Sequence, residues 1–86
     1  VRTVWKYPFD VTDRFTVSLP VEHVVVHVDK QDGHACMWIE LDDESETVEV
    51  AFYVEGTGDR LADDAVWCGT WLDGPFVWHL YEGLQS

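Results

Sequence analysis

Cys68 and His79 are the side chains in this 86-residue chain best suited to chemistry, because a thiol beside an imidazole is the minimal nucleophile and base pair. Strand register predicts them directly opposite each other near the C-terminal end. No third residue orients the imidazole and no donor loop for an oxyanion accompanies them. Val66, Thr70 and Val77 around them read as packing. The pair is therefore read as a half-buried cysteine beside a hydrogen-bonded histidine. No catalytic residue is assigned, and the protein is not expected to be an enzyme.

Metal chemistry fares no better. His23 and His27 stand four apart, the spacing of a chelating pair on a helix, but their surroundings read as a strand, which holds them about 13 Å apart. Cys36, His34, Cys68 and His79 make four potential zinc ligands without the close paired spacing of a zinc motif. Asp42, Asp43, Glu44, Glu46 and Glu49 resemble a calcium loop in charge only, since the ligand spacing and turn glycine are missing. Gly56-Thr57-Gly58 is too short for a phosphate loop and has no following helix or nearby lysine. It reads as a turn requiring positive φ, with a small anion at its N–H groups as a second use. Neither a metal nor a cofactor is expected.

These residues must be held by strands. Val24, Val26 and Val28 alternate with Val25, His27 and Asp29. Ala35, Met37, Ile39 and Leu41 alternate with Cys36, Trp38 and Glu40, and Val48, Val50, Phe52 and Val54 with Glu49, Ala51, Tyr53 and Glu55. Period two over β-branched and aromatic residues marks strands with one buried face. Turn signals separate them at Gln31-Asp32-Gly33-His34, Asp42-Asp43-Glu44-Ser45, Gly56-Thr57-Gly58 and Asp73-Gly74. Strands are predicted over 3–8, 15–19, 23–30, 35–42, 47–55, 66–72 and 76–82, with at most one short helical turn near 59–65. The fold class is all-β: one domain, residues 1–86, an antiparallel meander forming a barrel or a two-layer sandwich.

Pairing can be taken to single residues. A two-residue turn at Asp32-Gly33 sets Val28 opposite Met37, Val26 opposite Ile39 and Val24 opposite Leu41, an apolar core face. The other face pairs His27 with Trp38, Asp29 with Cys36, Val25 with Glu40 and His23 with Asp42. The next strand is expected to pair back on this one, with Ile39 opposite Val48 preferred over Leu41 opposite Val48, which would oppose Glu40 to Glu49. A last hairpin about Asp73-Gly74 sets Trp67, Gly69 and Trp71 against Leu80, Trp78 and Phe76, with Trp78 covering Gly69. Its other face sets Val66, Cys68, Thr70 and Leu72 against Tyr81, His79 and Val77. Both faces are apolar, and a small domain has one core. The outer face is therefore expected to be covered by another chain, so the protein is expected to be a homo-oligomer or to dock a partner.

Charge narrows the partners. Five basic residues face seventeen acidic ones, a net charge of −12. That balance disfavours direct binding to nucleic acid and to anionic membranes. It leaves solubility or a basic partner surface. Aromatic content of 14% argues against disorder. The opening residues VRTVWKYPFD hold no apolar run, so a cytoplasmic location with reduced Cys36 and Cys68 is expected.

The order Trp5-Lys6-Tyr7, Val11-Thr12-Asp13, Thr16-Val17, Leu19-Pro20, Cys36-Met37-Trp38, Gly56-Thr57-Gly58, Gly69-Thr70 and Val77-Trp78-His79-Leu80-Tyr81-Glu82 resembles a family of short phage and prophage proteins classed as a domain of unknown function. The resemblance implies phage origin and action in the cytoplasm of a bacterial host. It implies no catalytic residue and no cofactor. The acidic loop around Asp43 and Asp59-Arg60-Leu61 depart from the pattern.

The expected function is therefore that of a small acidic phage accessory protein that binds a host protein and carries no chemistry of its own. Its candidate interaction surface is Val77, His79, Tyr81, Val66, Cys68, Asp42, Asp43 and Glu44. Two alternatives stand beside it. In one, the acidic clusters at 42–44 and at Asp59, Asp63 and Asp64 mimic phosphates and inhibit a host nucleic-acid-binding or defence protein. In the other, a small ligand binds in an aromatic pocket at a subunit interface lined by Trp67, Trp71, Trp78 or Tyr81.

Overall fold

A computed structural model describes residues 1–83. Among the described residues seven strands form: β1 Arg2–Phe9, β2 Arg14–Pro20, β3 His23–Gln31, β4 His34–Asp42, β5 Thr47–Gly56, β6 Val66–Asp73 and β7 Phe76–Glu82. They make two antiparallel sheets, ordered β1-β4-β3 and β2-β5-β7-β6. No barrel closes, and the architecture is a sandwich. Residues 59–65 contribute one hydrogen-bonded turn, Ala65 N–H to the Ala62 carbonyl at 3.1 Å, and no helix.

Period-two alternation explains the inner faces. Met37, Ile39 and Leu41 of β4 meet Val50, Phe52 and Val54 of β5, with Leu19, Trp71 and Leu80 completing the core. An aromatic chain stitches the sheets together. Phe52 stacks on Phe15 at 5.4 Å, Phe15 on Phe9 at 5.1 Å, and Phe9 meets the edge of Trp71 at 5.5 Å. Phe9 belongs to the three-stranded sheet and the other three to the four-stranded sheet, so every step from or to Phe9 crosses the interior.

The expected hairpin between β4 and β5 does not form. Both ladders of β4 are occupied, by β1 and β3, and both of β5, by β2 and β7. Neither register considered for it arises. Residues 43–46 instead carry the chain from one sheet to the other.

The β3-β4 hairpin turns as expected, with Asp32 at φ +52° and Gly33 at +81°, the two positive values of a type I′ turn. Val28 faces Met37, Asp29 faces Cys36 and His27 faces Trp38. Beyond that a β-bulge leaves Val26 unpaired, and the expected partners shift by one. Val25 now opposes Ile39, Val24 opposes Glu40 and His23 opposes Leu41. One extra residue reverses the faces of everything beyond it. Val24 and Val26, expected in the core, are 60% and 51% exposed. Val25 packs against the core instead, and His23 turns inward.

That inversion gives His23 a partner. Its Nε2 lies 2.9 Å from the Glu82 carboxylate of β7, and its Nδ1 2.7 Å from the Pro20 carbonyl. At the other end of β3, Lys30 bonds Asp73 of β6 at 2.8 Å. The Glu82 bond raises the His23 pKa above its ordinary 6.5 against the opposing effect of burial, and the Pro20 carbonyl adds to the rise. The folded protein thus holds this proton more tightly than the unfolded chain does. The stabilisation is complete below the unfolded value of 6.5 and is lost as pH rises through the folded value. His23→Gln is accordingly expected to cost most in mildly acidic buffer and progressively less toward alkaline pH. Urea unfolding of both proteins across that range checks it, and a pH-independent difference between them would contradict it.

Candidate functional site

The β6-β7 hairpin decides where the candidate residues point. Its turn is Gly74-Pro75, closed by Asp73 opposite Phe76, rather than Asp73-Gly74. Gly74 has φ +58°, and the proline ring holds the next φ negative, the sign pattern of a type II′ turn. The expected register is therefore two residues off. Trp71 opposes Trp78, Thr70 opposes His79, Leu72 opposes Val77 and Gly69 opposes Leu80. Trp78 does not cover Gly69. Val28 of the other sheet fills that space, and a Cβ on Gly69 would sit 2.6 Å from Val28 Cγ2.

A second bulge falls between Trp67 and Gly69. It turns Cys68 inward against the core and sends Trp67, expected beside Trp71, to the outer face opposite Tyr81. Val66 opposes Glu82, whose carboxylate reaches inward to His23. Cys68 is thus removed from the expected outer surface, Val66 stays 50% exposed at the start of β6, and Val77, His79 and Tyr81 remain on the outer face. The expected facing of Cys68 and His79 is also lost. The Cys68 thiol donates to the Val66 carbonyl at 3.6 Å, and burial, aided by the Glu82 charge, pushes its pKa up to about 12. A thiol so placed stays protonated near neutrality and is a poor nucleophile.

His79 is instead clamped by two threonines. Its Nδ1 lies 2.9 Å from Thr70 Oγ1 and its Nε2 3.1 Å from Thr57 Oγ1, while the Trp67 indole N–H donates to Thr70 Oγ1 at 3.1 Å. His23 and His27, four apart in sequence, face opposite sides. His23 is inside, and His27 lies outside against Trp38 at 5.4 Å. Among the described residues no three His, Cys, Asp or Glu side chains converge as metal ligands.

What the register builds is a transverse row across the four-stranded sheet. Arg14 of β2 opposes Tyr53 of β5, Tyr53 opposes Tyr81 of β7, and Tyr81 opposes Trp67 of β6. The Arg14 guanidinium lies over the Tyr53 ring at 5.9 Å. The next rows bring Glu55, His79 and Thr70 together, and then Val77 and Leu72. Leu72 is 70% exposed and Trp67 59%. This face is apolar at its β6 side, aromatic across its width, and rigidly backed by the sheet. Tyr53, Arg14 and Glu55 were not part of the expected interaction surface, whereas Leu72 was expected on the outer face of the last hairpin and Trp67 on its other face. The alternation of Tyr53 and Glu55 with the β5 core positions was their signal, and Gly69 was a sign of the bulge that redirects Trp67.

The acidic residues form no single patch. Asp42 ends β4, accepts the Glu44 N–H at 3.0 Å, and has its pKa lowered by that bond first and by the chain's amino group next. Asp43 and Glu44 lie in the crossing segment before β5, while Asp59, Asp63 and Asp64 follow its end. Ten residues of β5 separate the groups by about 30 Å.

The family model for DUF7352, a domain of unknown function, matches residues 1–86. No curated protein matches, and no solved structure matches.

Proposed function

Because the chain belongs to the DUF7352 family, whose description assigns no activity, we propose from geometry that it is a protein-binding module acting through the outer face of its four-stranded sheet. The observation that carries this reading is the Arg14-Tyr53-Tyr81-Trp67 row flanked by exposed Leu72 and Val77. Large aromatics on a rigid, solvent-facing sheet are the anchors that dominate protein interfaces. In this reading the protein is a phage accessory factor that engages a protein in the bacterial cytoplasm and performs no reaction itself. A phosphate-mimicking inhibitor would instead act through the acidic groups at the two ends of β5 and leave the aromatic row unused.

Affinity capture from bacterial lysate, with mass determination of the recovered assembly, tests the reading. The parent protein is expected to retain one partner in simple stoichiometry, and the double variant Trp67→Ser, Leu72→Ser to release it. Losing an aromatic anchor costs binding about 2 kcal/mol or more. Both side chains face water, so folding stability is expected to move by only about 0.5 kcal/mol. A parent that recovers nothing above background at low salt and high bait concentration overturns the proposal.

A further inference from the structure

We propose that the partner presents a basic surface and that a groove beside β7 receives an arginine side chain from it, an inference that rests on the protein-binding reading of the same face. The groove, about 180 Å³, is lined by Glu55, Thr57, Asp59, Leu61, His79 and Tyr81. Tyr81 and Leu61 offer apolar walls for an aliphatic stem, and Glu55 and Asp59 supply carboxylates. The walls are held in place before any partner arrives. Asp59 Oδ2 accepts the Gly56 N–H at 2.7 Å, and Thr57 is tied to His79 at 3.1 Å.

Charge selects the occupant. Arg2 pairs with Glu40, Lys30 with Asp73, and Arg14 lies over Tyr53. Among the described residues no Lys or Arg, Arg60 included, forms an ion pair with Glu55, Asp59 or Asp13. Burial raises the Glu55 pKa, and the charges of Asp59 and Asp13 raise it further, so a cation placed here relieves an existing repulsion. A guanidinium fits better than an ammonium, because it stacks flat on an aromatic ring while bonding carboxylates with its edge. A second copy of this chain is a poor occupant. Each copy carries −12, and like charges oppose face-to-face docking.

The test uses the intact protein and two nine-residue peptides. One alternates arginine with valine, and the other replaces each arginine by citrulline, its neutral isostere. Isothermal titration at about 150 mM salt, where diffuse attraction is largely screened, is expected to show binding of the arginine peptide alone. Glu55→Gln with Asp59→Asn is expected to weaken it about tenfold or more, the loss expected when desolvated charge pairs lose one partner. Asp32→Asn with Glu46→Gln, an equal charge change away from the groove, is expected to leave it within about twofold. Equal losses in the two double variants, or equal binding of the citrulline peptide, overturn the inference. So does a concentration-dependent dimer in sedimentation that Trp67→Ser disperses, since a second copy then occupies the face. Should Trp67→Ser abolish partner capture while the arginine peptide fails to bind, the protein-binding reading survives and the basic partner does not.

Discussion

Gly69→Ala is expected to destabilise the domain by roughly 1–3 kcal/mol, a large effect for one added methyl group. Alanine is ordinarily the better strand residue, because glycine loses more backbone entropy on folding. Here the new Cβ would lie 2.6 Å from Val28 Cγ2 and 2.7 Å from Val28 Cβ. Neither atom is the free end of a flexible chain. Val28 is buried at the hairpin end of β3, and Gly69 sits beside the bulge of β6, where the two sheets approach each other. Relief requires moving backbone and stretching the Lys30–Asp73 contact nearby. Chemical denaturation of Gly69→Ala, Val28→Ala and the double variant forms a cycle that checks this. The double variant is expected to be more stable than the sum of the single losses implies, because trimming Val28 vacates the space the new methyl needs. Strict additivity would show that the two positions do not collide.

Phe52→Ala is expected to cost about 3–5 kcal/mol. Its ring is fully buried and forms one end of the aromatic chain through Phe15 and Phe9 to Trp71. Truncation removes the apolar area of the ring and leaves a cavity that neighbouring strands cannot collapse to fill. For a domain of this size total stability is only about 4–13 kcal/mol, so the variant is expected to lose a large share of it. The midpoint of urea unfolding is expected to fall by about 1–5 M at a typical slope for small domains, or the folded baseline to vanish. Phe52→Leu, which keeps most of the volume, is expected to cost less than half as much. A Phe52→Ala protein with an unchanged midpoint would mean that the ring does not lie in the core.

The interaction face and the core share one strand pair. In β5, Phe52 and Val54 point inward while Tyr53 and Glu55 point outward, and in β7 Leu80 points inward while His79 and Tyr81 point outward. Substitutions at outward positions are therefore separable from folding, and those at inward positions are not. This gives the binding experiments a control for misfolding within the same two strands.

All seven strands, the Asp32-Gly33 turn and the all-β class were legible in the residues, because each depends on local facts. Alternation along a segment shows that one face is buried, and turn residues show where a segment stops, without reference to any distant residue. Which segment pairs with which is a different question. Apolar alternation on β4 and β5 made them plausible partners, yet β1, far away in sequence, took the place expected for β5. Bulges escaped for the same reason. Nothing local in Val24-Val25-Val26 says which valine drops out of the ladder. The choice follows from His23 reaching Glu82, some sixty residues away, and from Val25 meeting the opposite sheet. Likewise Gly69, beside the Cys68 bulge, packs close to Val28 of the other sheet, a contact that the local pattern does not give. A one-residue slip reverses every side chain beyond it, so these long-range contacts alone determined that Trp67 stands on the outer row and Cys68 does not.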